Sequence, residues 1–266
     1  MRNLLIRRGK LLYEKFTPEG RHYYSATYKL FSKVWTINEW YRKEDNTCHS
    51  YIHGSKEALS DYREVKVIKF NHTFKIGNNK LPFAVFNMGS ATDCPSLKAG
   101  ECKIGNKCYA LRDEQRYKTP LPYRRRQEMF WRNMSAYDLA EQMKEVMDKK
   151  GVKELRMNES GDFRSHEDVE KLNLIAMFLG YYSIKTYTYT SRDIHIDPSD
   201  MKHVTIIGSG KAGLDGQFIG VKNATSYAKE ARLSGFRSIV CQGSCNICNA
   251  CLDMKVKPAI IYAEMH

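Results

Sequence analysis

The sequence predicts an α/β fold: a partial or irregular (β/α) barrel of parallel strands, preceded by an N-terminal appendage. Three observations predict it. From about residue 80, short β-favouring apolar runs alternate with helical stretches, the alternation that βαβ units produce. Each run ends in small, polar or thiol residues, as strands do at the functional edge of a parallel sheet. The runs number about five or six, short of the eight of a closed barrel. An open doubly wound sheet is the second architecture this pattern allows.

Taken in order, residues 1–75 form the appendage, partly strand, and residues 76–266 the main domain. Arg21 to Trp35 and Glu64 to Phe70 are strand-like, and Thr36 to Tyr41 is expected to begin a short helix. Pro82 to Phe86 is the first apolar run of the main domain. A loop with Cys94, Cys102 and Cys108 follows it. Residues 121–149 read as one or two helices, with Leu139, Ala140, Met143 and Met147 near helical spacing and Gly151 as the stop. Lys153 to Met157 is a strand. His166 to Tyr182 is an amphipathic helix that Ser165 is placed to cap. Lys185–Tyr189 and His203–Ile207 are β-favouring, Asn223–Leu233 is a helix, and Phe236–Val240 and Pro258–Tyr262 are strands.

Composition bounds the function. A chain of 266 residues, 42% hydrophobic and 27% charged, has the make-up of a water-soluble globular protein. No apolar run reaches the roughly 18 residues of a membrane span, and Met1 to Arg8 has too short an apolar core for a signal peptide. A cytoplasmic location is expected. The eight cysteines are then reduced, and clustered ones read as metal ligands. A formal charge of +13 favours an anionic ligand or nucleic acid and no membrane. The densest basic run, Arg124-Arg125-Arg126, reads as a basic helix face with local salt bridges.

If the strands are parallel, their polar ends share one edge. Asn87, Asn158, Glu159, Ser160, Asp162, Ser191, Arg192, Ser209 and Cys241 then face one site. The cofactor-binding candidates are Asn158, Glu159, Asp162, Arg192, Gly208, Ser209 and Gly210. Gly208 to Gly213 matches G-x-G-x-x-G, but the glycine-rich stretch after it opens no helix. A tight loop beside a ligand fits better than a dinucleotide site.

Cys241, Cys245, Cys248 and Cys251 carry the strongest chemical signal. Their spacing, C-x3-C-x2-C-x2-C, brings four thiols onto one short loop, with Gly243 suiting the turn. Such donors select zinc or an iron–sulfur cluster, and Ile247 is placed to shield it. Cys94, Cys102 and Cys108 are more loosely spaced, as ligands of a second site, as a cover for the first, or as free buried thiols.

The first three cysteines of the tail resemble the motif of the radical S-adenosylmethionine superfamily. The resemblance implies a [4Fe–4S] cluster with an open iron that binds S-adenosylmethionine. Here, however, the motif follows a late strand, and Cys251 supplies a fourth ligand. A broader resemblance rests on Asn87-Met-Gly-Ser-Ala-Thr-Asp-Cys-Pro-Ser, Lys107-Cys-Tyr-Ala-Leu-Arg, Pro122-Tyr-Arg-Arg-Arg-Gln, Asn158-Glu-Ser-Gly-Asp-Phe and the four-cysteine tail. Together these are similar to a phage-encoded family known by its gene-product name, gene product eighty-eight. That resemblance implies a viral [4Fe–4S] protein. The expected role is redox or electron transfer with a separate electron donor or acceptor. The alternatives are a radical S-adenosylmethionine-like enzyme and a zinc-stabilised nucleic-acid-binding protein.

Overall fold

The computed structural model describes residues 2–19, 22–54, 63–77, 81–245 and 248–264. Ile247 lies outside these residues. The chain opens with helix α1 (Arg2–Arg8) and five strands: β1 (Lys10–Phe16), β2 (Tyr24–Leu30), β3 (Lys33–Arg42), β4 (Thr47–Gly54) and β5 (Arg63–Lys69). They form an antiparallel meander in sequence order. The helix expected at Thr36 to Tyr41 is part of β3. Its side chains alternate, with Ile37, Glu39 and Tyr41 buried and Asn38 and Trp40 half-buried, which is period two rather than 3.6. The inward carboxylate of Glu39 is answered by Arg2 Nε at 2.7 Å, by the Tyr23 hydroxyl and by Arg126.

The second sheet begins with β6 (Lys75–Ile76) and β7 (Ala84–Phe86), an antiparallel pair. After β7 come α2 (Pro95–Lys98), α3 (Tyr109–Arg116), α4 (Pro120–Asn133) and α5 (Ala136–Asp148). The remainder is β8 (Glu154–Met157), α6 (His166–Gly180), β9 (Lys185–Thr190), β10 (Val204–Ser209), β11 (Gly216–Val221), α7 (Ala224–Leu233), β12 (Ser238–Val240) and β13 (Ile260–Glu264). The sheet order is β12-β13-β11-β10-β9-β8-β7-β6, and the seven strands β7 to β13 are mutually parallel. The sheet does not close: β12 and β6 are its two edges. β11 was not foreseen, because glycines at 216 and 220 mask its β-character.

Strands β7 to β11 lie in sequence order, so right-handed crossovers put their helices on one face. On that face Phe86, Leu155, Met157, Val204 and Ile206 pack with Phe130, Trp131, Leu139, Met143 and Leu172. The same cluster continues into Ile37, Tyr41 and Ile68 of the antiparallel sheet. Ser165 occupies the N-cap of α6 without a side-chain cap bond, whereas Asn223 caps α7 by accepting from the Ser226 amide. The arginine run is not an open basic face: Arg124 pairs with Glu114, Arg125 with Glu14 and Asp93, and Arg126 with Glu39.

Among the described residues, no α-helix packs on the opposite face of the parallel sheet. That face is covered by the segment between β12 and β13, where Cys245, Cys251, Leu252 and Met254 pack against Tyr187, Ile207 and Ile261. A Cβ on Gly216 would stand 2.7 Å from Met254 Sδ, so glycine there makes the notch that seats this segment. Lys255 ties it down through Asp215, whose carboxylate also accepts from the Ile206 amide.

Candidate thiol-lined site at the sheet edge

The C-terminal ends of the parallel strands open onto a cavity of about 790 Å³. Two loops build its wall. After β7, Asn87 Oδ1 accepts from the Ser160 amide at 2.8 Å, and Ser160 Oγ donates to the Gly89 carbonyl. Gly161 stands at φ +77°, and a Cβ there would meet Gly89 backbone at 2.7 Å. Only glycine allows that approach. Asn158, also left-handed at φ +59°, accepts from the Met88 amide with Oδ1. The two polar motifs read from the sequence are therefore one meshed unit.

Asp162 fastens that unit to the next strand. Its carboxylate accepts from Ser96 Oγ (2.6 Å), Thr190 Oγ1 (2.7 Å), the Ser191 amide (2.8 Å) and the Phe163 amide (2.9 Å). Burial raises its pKa, and these four donors oppose the rise. A carboxylate has about four lone-pair positions, so Asp162 lines the cavity with its acceptors already used. Glu159 is held more loosely: its backbone carbonyl accepts from the Tyr109 hydroxyl, and its carboxylate makes a long ion pair with Arg124 at 4.0 Å. Glu159 also borders a second cavity of about 490 Å³, lined by Arg2, Arg7, Lys118, Arg124 and Arg126.

Asn158, Glu159, Asp162 and Ser209 line the larger cavity, whereas Arg192, Gly208 and Gly210 stand outside the lining. Arg192 donates to Glu101 instead, at 2.8 Å. The glycines serve a turn. Ile207 pairs with Gly216 in parallel register, so the chain reverses and returns within residues 210–215. Parallel neighbours ordinarily need a crossover of about a dozen residues. This shortcut requires Gly208, where a Cβ would lie 2.1 Å from the Lys211 carbonyl, and Gly210 at φ +75°. The G-x-G-x-x-G run is explained by the connection.

Cys241, Cys245 and Cys251 line the cavity, and so do Cys94, Cys102 and Cys108; Cys248 does not. Cys241 follows β12 directly, its amide still in the sheet with the Tyr262 carbonyl. Cys94 and Cys108 occupy the N-cap positions of α2 and α3 with the same backbone angles, φ −57° and ψ 122°. Burial pushes the Cys94 thiol up to about 12 and the Cys251 thiol up to about 11, so a metal has to displace protons to bind. The thiols are arrayed around the cavity. Among the described residues, no group of three or more His, Cys, Asp or Glu is assembled to hold a metal ion.

The cavity floor holds residues that the sequence did not single out. Arg156 projects from β8 on the face opposite Leu155 and Met157, and its guanidinium lies 5.2 Å over the Tyr189 ring. The Tyr189 hydroxyl is 2.8 Å from Cys251 Sγ. Arg156 Nε is buried without a hydrogen-bond partner, and among the described residues no carboxylate lies within ion-pair distance of it. The available signal was the alternation Lys-Thr-Tyr-Thr-Tyr-Thr in β9, which puts both tyrosines on one face.

The family model described as Gene product 88 matches residues 55–212. Neither a curated protein nor a solved structure matches the chain. Among the described residues, no helix is long and apolar enough to cross a membrane.

Proposed function

The chain belongs to the Gene product 88 family, a phage gene-product family, and from the cavity its strand ends enclose we propose a thiolate-ligated iron–sulfur protein with a redox role. The observation that carries this is the donor set. Six cysteines line one cavity, with the half-buried Arg156 on its floor; among the described residues no carboxylate is within ion-pair distance of its guanidinium, and Glu159 acts on it only from farther away. Thiolates bound to a [4Fe–4S] cluster bring excess negative charge, and a cation in a low-dielectric floor offsets it. Cys241, Cys245 and Cys251 would hold the cluster from the cavity wall, with Cys248, on the same loop but outside the lining, as the fourth ligand, and the cluster would supply one-electron transfer. Tyr189, bonded to Cys251, and Arg156 would tune it by hydrogen bonding and charge. An anionic ligand would enter from the basic cavity at Glu159, and an electron partner would dock over the strand ends. The sequential order of β7 to β11 supports reading the sheet as an opened (β/α) barrel.

Anaerobic purification with iron and acid-labile sulfide analysis tests the proposal. Iron and sulfide in equal amounts, lost together in Cys241→Ser and Cys245→Ser, are expected. A colourless protein carrying stoichiometric zinc overturns it.

One observation favours a second reading, an S-adenosylmethionine-dependent enzyme. Cys94, Cys102 and Cys108 follow the first parallel strand and face the same cavity as the C-terminal thiols. Three protein thiolates on a four-iron cluster would leave one iron open, beside room for a small-molecule ligand. On this reading, added S-adenosylmethionine alters the electron paramagnetic resonance signal of the reduced protein, and Cys102→Ser abolishes that change. An unaltered spectrum with no cleavage of the cofactor excludes it.

A further inference from the structure

The antiparallel sheet turns one face onto the shared core; on the other, Trp40, Tyr51 and His53 are half-buried, and Thr47 and His49 are buried beneath their neighbours. Register fixes which side chains share the outer face. Lys15, Ser25, Asn38 and Tyr51 form one cross-strand row, and Tyr13, Thr27, Thr36 and His53 the next. Trp40 faces His49, Lys10 faces Lys29, and Lys69 faces Thr47. The rings form a continuous strip. Trp40 stacks on His49 at 5.3 Å and meets Tyr51 edge-on at 5.2 Å, and Tyr51 stacks on His53 at 5.8 Å. Tyr13 stands apart, 56% exposed. Lys10, Lys15, Lys29 and Lys69 are exposed around these rings. No described residue of these outer rows is a carboxylate: Glu39 is buried inward, and Glu14 pairs with Ala26 of the inner face and accepts from Tyr24. Asp45, in the β3–β4 turn, reaches the rim of the face, where it accepts from Thr47 Oγ1 at 2.6 Å and is paired with Arg42.

An open sheet with aromatic rings on one face and cations around them has a specific chemical use. Flat rings stack on unpaired bases, and lysines displace counterions from the phosphates that link them. A duplex keeps its base faces stacked inside the helix, and the carboxylates that make a peptide acidic carry no ring to stack. We propose that this face binds single-stranded nucleic acid, with bases stacking on Trp40, Tyr51 and Tyr13 and backbone phosphates held by Lys10, Lys15, Lys29 and Lys69. The site lies in a sheet separate from the six cysteines of the cavity, so it stands whether or not the cavity holds a cluster.

The test uses the full chain and fluorescence anisotropy with labelled oligothymidylate, oligouridylate and a duplex, each of about 15 nucleotides. Both single strands, or one of them, are expected to bind at least about tenfold tighter than the duplex, with affinity falling steeply with salt. The thymidylate and uridylate arms decide between DNA and RNA. Trp40→Ala is expected to weaken binding about 5- to 100-fold. Trp40→Phe keeps most of the affinity but removes the tryptophan quenching that accompanies binding. Lys29→Glu with Lys69→Glu weakens binding and flattens its salt dependence. Should Trp40→Ala fail to fold, the phenylalanine and lysine variants still decide. Equal affinity for duplex overturns the proposal, as does equal competition by polyglutamate. So does unchanged binding in folded Trp40→Ala or, failing that variant, in the lysine pair.

Discussion

The parallel and antiparallel sheets put their chemistry in different places. The parallel sheet is covered on one face by helices and on the other by the cysteine segment, so its strands have only their ends to offer. The meander is covered on one face and keeps an outer face with rings and lysines. The same residue type therefore means different things in the two regions. A polar residue at a parallel strand end is drawn into bonds that hold neighbouring loops together, as Asn87, Asn158, Ser160 and Asp162 are. A polar residue on the outer face of the meander bonds to its neighbours within the sheet, as Thr27 does to Thr36 and Asn38 to His53, and joins no separate loops. Edge substitutions should accordingly cost stability, and face substitutions should spare it.

The largest effect is expected at Asp162. Replacing it with alanine strands two buried backbone amides and two hydroxyls, at a cost of about 3–5 kcal/mol. Urea unfolding of Asp162→Ala measures this. A loss below about 1 kcal/mol would mean that the edge is not held together by this carboxylate.

Glu128 makes stability depend on pH. It lies behind Gly89, with only 1% of its surface exposed. Burial, opposed by Arg164 and Arg132, pushes its pKa up to about 7 from an unfolded value of 4.5. A raised folded pKa contributes stability that is full below 4.5 and is lost as pH rises to about 7. The change is on the order of 3 kcal/mol. Unfolding measured across that window should show the decline, and Glu128→Gln should flatten it. A wild-type profile that rises with pH would place the ionised form as the stable one, paired with Arg164.

The glycine connection tests whether sequence motif or local geometry explains Gly208. Gly208→Ala drives a methyl into the Lys211 carbonyl and is expected to cost about 2–3 kcal/mol. Gly213, at φ +86° with nothing within 4 Å of a built Cβ, should cost only the left-handed strain of about 1 kcal/mol. Equal effects in thermal melts would remove the tight-turn account.

Parts of this arrangement were legible in the chain, for identifiable reasons. The parallel sheet showed because alternating strands and helices leave a coarse pattern, and the edge residues followed because parallel strands end together. The role of Arg192 was not legible, because its partner Glu101 is remote in sequence. The glycine run looked like a phosphate loop because glycine's freedom serves a turn and a ligand equally. Arg156 and Tyr189 were hidden because alternation within a short strand does not say what lies beneath it. The outer face of the meander was hidden most completely. Trp40 sat in a stretch read as helix, and its neighbours His49 and Tyr51 become neighbours only through the β3–β4 register.

That register supplies the smallest expected effect and the sharpest contrast with Asp162. Lys29 is exposed on β2, opposite Lys10 on one side and Val34 on the other. Like charges facing each other across strands are mildly destabilising, so Lys29→Glu replaces a repulsion with an attraction to Lys10. Its effect on unfolding free energy should stay within about 0.5 kcal/mol and lean toward stabilisation. Differential scanning calorimetry resolves the sign. A loss as large as that of Asp162→Ala would show Lys29 holding something in place. The outer face of the meander would then be part of the architecture and not a free surface.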